Sequence, residues 1–207
     1  MTEIVYILTN EAMPGLAKIG RTSADLAGRI KQLFQTGVPL PFELFFACEV
    51  SNGAFVEQRL HDAFDDHRLS RNREFFRIAP ERIKSALELG SLREIKLGDE
   101  VFETPEDKED VEAAKRRSRF KLNMIGIKPG AILRLARQPD ITCTTVDELN
   151  KVSFNGQITS LSDAAIQAYA SLGQGSTAIS GPWAWTFDGK RLDEMRREKD
   201  EIDYLLS

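Results

Sequence analysis

The chain is predicted to be α+β: a small antiparallel sheet with flanking helices, a charged linker, and a second small β-rich α+β domain. Three observations predict it. Short β-branched and aromatic runs are cut by the turn signals Pro14-Gly15 and Asn155-Gly156. Apolar residues recur at helical spacing in Leu26, Ile30, Leu33, Phe34 and again in Val56, Leu60, Ala63, Phe64. Between the two halves, Glu103 to Arg119 is mostly charged, acidic first and then basic, which reads as an exposed, partly helical linker. The expected boundaries are 1–90, 91–121 and 122–207.

At 207 residues the chain is long enough to bury two small cores. Its 42% hydrophobic and 29% charged residues are ordinary for a globular protein. No run approaches the roughly 18 apolar residues of a membrane span, and the N-terminus has no signal-peptide pattern, so a cytoplasmic protein with no membrane partner is expected. Cys48 and Cys143 sit in strand-like runs and read as buried free thiols. The net charge of −4 counts against tight nonspecific binding of duplex DNA. Phosphate contacts depend on local clusters, however, and His67-Arg68-Leu69-Ser70-Arg71-Asn72-Arg73 is one.

Taken in order, Glu3–Leu8 is a strand bounded by Thr9-Asn10, and Leu16–Gly20 returns beside it as a hairpin. Ile4, Tyr6 and Leu8 share one face of the first strand; Lys18 lies on the face opposite Ala17 and Ile19. Ser23 is the expected N-cap of the first helix and Gly37 its terminator. Arg29 flanks the apolar stripe, its stem on the core and its guanidinium at the edge. Phe42–Val50 is a third strand and Ala54 to about Asp66 a second helix, on which Glu57 and His61, four apart, stack on one face. A short strand, Glu74–Ile78, precedes a helix that opens on Pro80 and ends at Gly90.

In the second domain 131–137, 142–147, 151–154 and 157–160 read as strands. Ser162 is the expected cap of a helix carrying Ala165, Ile166, Tyr169 and Leu172. A Gly-rich loop then leads to an alternating aromatic strand, Pro182 to Phe187, an Asp188-Gly189 turn and a charged helical tail over 192–206. Alternation places Trp183, Trp185 and Phe187 on one face. That face suits core packing, and it also suits stacking on nucleic-acid bases, worth about 1–3 kcal/mol each.

The ordered set Val5-Tyr6-Ile7-Leu8, Met13-Pro14-Gly15-Leu16, Lys18-Ile19-Gly20-Arg21-Thr22, Thr36-Gly37-Val38-Pro39-Leu40-Pro41-Phe42-Glu43, Glu57-Gln58-Arg59-Leu60-His61 and Asn72-Arg73-Glu74-Phe75-Phe76 resembles the phage-type branch of the GIY-YIG nuclease superfamily. The resemblance covers about the first 80 residues. It implies a DNA endonuclease that holds one Mg²⁺ or Mn²⁺ on Glu57, with Arg29 neutralising the transition state and Tyr6 positioning or deprotonating water. Lys18 stands where the family has its second tyrosine, and it reads as a general base or a phosphate ligand. His61 is expected to orient water or touch substrate, with Glu74 supporting the site and Arg21, Arg71 and Arg73 on the DNA. Singly, each has a plainer reading: Tyr6 a core-edge tyrosine, Glu57 a solvated helix residue, His61 its neighbour, Arg29 a surface arginine.

The second domain is similar to small modules appended to GIY-YIG proteins and to reader domains associated with restriction systems and adenine modification. The matching residues are Lys128-Pro129-Gly130 with Leu133-Arg134, Val152 with Phe154-Asn155-Gly156, Ser160-Leu161-Ser162 with Ala164-Ala165, and Gly181-Pro182 through Trp185 to Leu192. In that reading Trp183 and Trp185 contact DNA. The implied function is endonuclease action in defence, restriction or DNA processing, with a non-cutting DNA-binding or modified-DNA-reading module as the alternative. A single-metal site makes one nick, so a homodimer is one route to duplex cleavage.

Overall fold

Two antiparallel sheets, each with its own helices, organise the computed structural model, which describes residues 3–174 and 179–206 and omits the side chains of 117 and 203–206. The chain divides into two units, Met1–Ser118 and Arg119–Ser207. The α+β class read from the sequence is the observed one.

In the first unit β1 (Glu3–Thr9) and β2 (Leu16–Thr22) form the expected hairpin. They are followed by α1 (Leu26–Leu33), β3 (Glu43–Val50), α2 (Gly53–Ala63), β4 (Phe75–Arg77), α3 (Pro80–Leu87), β5 (Arg93–Ile95) and α4 (Pro105–Ser118). The sheet runs β4-β2-β1-β3-β5, so β1 is central and paired on both sides. Both of its faces are covered, which is why β1 reads as an apolar run rather than a polar–apolar alternation. Val5 and Ile7 pack with Ala17, Ile19, Phe46, Leu60 and Ile83 under α2 and α3. Tyr6 and Leu8 pack on the other face with Leu26, Ile30 and Phe42 under α1.

The helix ends differ from the sequence expectation in local detail. Asp25, not Ser23, caps α1, because its carboxylate accepts from the N–H groups of both Ala27 and Gly28. The helix stops at Leu33, where Phe34 turns extended, four residues before Gly37. The second helix ends at Ala63, and Asp65–His67 continues as a 3₁₀ turn.

The stretch 91–121, expected as an exposed and partly helical linker, is helical in α4 but also carries a strand and buried anchors. β5 adds an edge strand to β3, and a 3₁₀ turn at Asp99–Val101 leads into α4. Val101 and Val111 are buried, and Ile95, Leu97 and Phe102 pack against the cluster that contains Val101, so a few apolar anchors hold a largely charged segment. Lys115 of α4 reaches Glu43 at the start of β3 at 2.5 Å, and Ser118 Oγ donates to Glu11 at 2.5 Å.

The second unit is built from β6 (Ile132–Leu135), β7 (Thr142–Thr145), β8 (Lys151–Phe154), β9 (Gln157–Ser160), α5 (Leu161–Ser171), α6 (Gly181–Ala184), β10 (Trp185–Phe187), β11 (Lys190–Arg191) and α7 (Leu192–Leu206). The sheet order is β11-β10-β6-β7-β8-β9. Asn155-Gly156 and Asp188-Gly189 both take positive φ, as a two-residue hairpin of this hand requires. One face of the sheet (Leu133, Leu135, Cys143, Val152, Phe154, Trp185) packs on Leu161, Ala164, Ala165 and Ala168 of α5. Part of the Gly-rich stretch before α6, residues 175–178, lies outside the described residues.

Two expectations are corrected in this unit. Ser160, not Ser162, caps α5, accepting from the Asp163 N–H at 3.1 Å. Residues 182–184 belong to a helical turn and only 185–187 to a strand, so Trp183 and Trp185 do not alternate along one strand. Pro182 suits the first turn of a helix and has no N–H to give a sheet ladder.

Docking of α4 through Val111 has a measurable consequence. Val111→Ala is expected to lower the stability of the first unit by about 2 kcal/mol, read from urea unfolding. An exposed linker would show no change.

Candidate functional site

The site forms at an edge of the first sheet. β4 pairs with β2 only from Leu16 to Lys18, so beyond Lys18 the outer edge of β2 has no strand beside it. The Ile19 N–H there donates to the Glu74 carbonyl at 3.2 Å. The Ile19 carbonyl faces His61 Nε2 at 3.4 Å. Residues from the α1 face and the α2 face of the sheet meet around this edge.

From the α1 face come Tyr6, Lys18 and Arg29. Tyr6 is directly across from Gly20, and the ring lies over it: a Cβ on Gly20 would sit 2.7 Å from both Cζ and Oη of Tyr6. Only glycine permits that approach. Burial pushes the Tyr6 phenol above its ordinary pKa, while a hydrogen bond and the charge of Arg29 pull the other way. The phenol is therefore neutral at neutral pH. Lys18 is cross-strand from Leu8 on one side and Phe75 on the other, and only 6% of it is exposed. Its ammonium stands 5.6 Å from the Phe75 ring centre and pairs with Glu74. A lysine charge removed from water needs such a partner.

From the α2 face come Glu57, His61 and Arg21. Arg21 Nε donates to Glu57 at 3.1 Å, and its Nη1 donates to Glu3 at 3.0 Å. Burial raises the Glu57 carboxyl, the nearby Glu74 charge raises it further, and Arg21 and Lys18 oppose. Glu74 moves the other way. Burial works to raise it, but the hydrogen bond and charge of Lys18, with His61 and Arg29 beyond, outweigh burial and hold it below the usual range. The His61 ring packs 5.2 Å from Phe76, and burial, aided by the charges of Arg68 and Lys18, depresses its pKa against the pull of the Ile19 carbonyl and Glu74. His61 is thus a neutral imidazole at neutral pH.

These mutual influences join Tyr6, Lys18, Arg29, Glu57, His61 and Glu74 in one cluster, with Arg21 on its flank. Arg71 and Arg73 are exposed in the loop before β4. Sequence reasoning gave no role to Gly20 or Phe75, although Gly20 follows from counting the hairpin register back from Tyr6. It also left Glu3 unassigned, whose carboxylate links Arg21 to the Gly53 N–H at the start of α2.

Trp183 and Trp185, expected to touch DNA, lie in the other unit. Trp185 is fully buried and its indole N–H donates to the Leu161 carbonyl at 3.0 Å, so it has no ring face to offer a base. Trp183 is partly buried beneath the Arg191 guanidinium, 4.4 Å from its ring centre, and stacks with Tyr169.

The cluster offers a cation one or two carboxylates, Glu57 and Glu74. Among the described residues no group of three or more His, Cys, Asp or Glu stands ready to hold a metal ion. Such a donor set resembles the sparse sites of Mg²⁺, which keeps several waters and takes further oxygens from substrate phosphates.

The contact between Tyr6 and Gly20 is testable apart from any activity. Gly20→Ala is expected to cost about 1–3 kcal/mol in urea unfolding, because an added methyl group must displace a packed ring. In the double variant with Tyr6→Leu the cost falls well below the sum of the single changes, the signature of direct contact.

No curated protein and no solved structure matches the chain. Residues 3–91, which contain every member of the cluster, match the family model of the T5orf172 domain, a phage-associated domain found in nuclease contexts.

Proposed function

We propose that the first unit is a divalent-metal-dependent DNA endonuclease that hydrolyses phosphodiester bonds, in defence, restriction or DNA processing. The observation that carries this reading is the meeting of two carboxylates, Glu57 and Glu74, with the cations Lys18 and Arg29 at one open sheet edge. An anionic diester needs fixed positive charge to approach, and its pentacoordinate transition state needs more.

The protonation states divide the labour. Arg29, always charged and presenting a planar fork, suits the equatorial oxygens of the transition state. Lys18, buried and held against Glu74, grips a phosphate oxygen. His61 is the base. In the tautomer that donates Nε2–H to the Ile19 carbonyl, Nδ1 is free to accept the proton of an attacking water. Tyr6, kept neutral by burial, orients that water through its hydroxyl. Glu57, with Glu74 beside it, would hold Mg²⁺ or Mn²⁺: the donors are oxygens, and the like charge that raises Glu57 is a strain that a dication relieves. When bound, such an ion polarises a phosphate oxygen and offsets charge on the leaving oxygen.

Cleavage of single-stranded and duplex DNA, with and without methylation, in Mg²⁺ or Mn²⁺ tests the reading. Glu57→Ala is expected to lose at least about a hundredfold in rate. Equal rates in wild type and variant refute the role of Glu57, and binding without cleavage identifies a non-cutting DNA-binding module instead.

The pH profile tests the assignment of the base. Both Glu57 and His61 must be deprotonated to act, so the rate rises with pH through both ionisations. Because burial depresses the His61 pKa below its ordinary 6.5, the rate is expected to have levelled off by neutral pH and to fall on acidification. Lys18→Arg is expected to keep this profile, since arginine stays protonated, whereas His61→Ala removes the limb that His61 supplies.

A further inference from the structure

The second unit contains an open cleft of about 470 Å³ that the activity proposed for the first unit leaves unused. Its lining includes Arg119, Phe120, Asn150, Ser160, Ser162 and Ser180. The volume falls within the usual range for small-ligand sites, roughly 300–1,000 Å³. Among the described residues no acidic side chain lines it, in a chain of net charge −4. The nearest carboxylate along the chain, Asp163, is engaged by Ser160 Oγ at 2.8 Å.

The walls are held by backbone packing. Gly181 comes so close to the start of α5 that a Cβ there would lie 2.6 Å from Leu161 Cβ and 2.7 Å from the Ser162 nitrogen. At that approach the Gly181 N–H donates to Ser162 Oγ at 3.1 Å. This bond occupies a lone pair of the hydroxyl and leaves its one proton for another acceptor. Arg119 is exposed at the rim, and Phe120, half-buried against the core of this unit, contributes an aromatic wall.

We propose that this cleft binds a phosphate-bearing nucleotide. Arg119 and the Ser162 hydroxyl take the phosphate, and Phe120 lies against the base or sugar. The inference rests on the DNA-directed reading of the chain only for the source of that nucleotide, a DNA strand. This role replaces Trp183 and Trp185, which the packing of the unit withholds, with Arg119 and Phe120.

The test uses the full-length ¹⁵N-labelled protein in EDTA, so that no cleavage intervenes and failure of the nuclease reading leaves the result intact. It is titrated with deoxyadenosine 5′-monophosphate and, separately, with a single-stranded tetranucleotide. Amide resonances of Asn150, Ser160, Ser162 and Ser180 are expected to shift. Arg119→Glu is expected to weaken that binding at least about tenfold, as loss of a charged hydrogen-bond partner does. Lys199→Glu, the same charge change at an exposed position of α7, is expected to weaken it less than about twofold. Resonances outside the cleft report whether each variant is folded. Shifts with both ligands identify a free nucleotide as sufficient, and shifts with the tetranucleotide alone identify a strand. Unmoved cleft amides with either ligand, or equal losses in the two variants, overturn the proposal.

Discussion

A lysine ammonium almost removed from water sets the terms for the N-terminal unit. Lys18 sits in the middle of a sheet face between Leu8 and Phe75, where an unpaired charge would be strongly destabilising. Its partner, Glu74, is delivered by the turn into β4, and the shortness of β4 follows the same logic. The strand seals the edge of β2 as far as Lys18 and then stops, leaving the rest of that edge open. Glu74 in turn presses on Glu57, so the acid that pairs with the buried lysine also biases a second carboxylate.

Four groups within this small region are pushed in different directions by their surroundings. Burial raises Tyr6 and Glu57 and lowers His61, while Lys18 brings Glu74 down despite burial. The two carboxylates are pushed apart, Glu57 up and Glu74 down, so neighbouring groups of one type are held in different environments. The apolar packing around Tyr6 and His61 therefore sets the proton affinity of both groups as well as filling the core. Gly20 contributes by having no side chain, which lets the Tyr6 ring lie across the hairpin within reach of Arg29.

The second unit divides its aromatic and polar residues differently. Its largest aromatic, Trp185, is spent on the core, with its one polar atom satisfied by the Leu161 carbonyl. Polar residues at the joint between α5 and α6 are left to line the cleft instead. Gly181 again makes the arrangement possible by close approach of backbone to backbone.

Features governed by a few neighbouring residues were legible in the sequence: the β1–β2 hairpin, the positive-φ turns at Asn155-Gly156 and Asp188-Gly189, Pro80 opening α3, and the inward face of α1 at Leu26 and Ile30 and of α2 at Val56 and Leu60, although Ala63, expected on that face, is exposed. Local sterics and periodic burial decide those, and both are written in adjacent letters. Composition misled where a few anchors outweigh many charges, as Val101 and Val111 do in the segment read as a linker. Alternation misled at Trp183 and Trp185, where a helical turn interrupts the strand. That Tyr6, Lys18, Arg29, Glu57, His61 and Glu74 come together follows the order of the motifs, but their states do not. Whether Lys18 is buried, which acid it meets 56 positions along the chain, and which way each pKa moves are decided only when distant segments pack together. The reason is that desolvation and Coulomb energy depend on surroundings in space, and a sequence specifies those surroundings only through the fold.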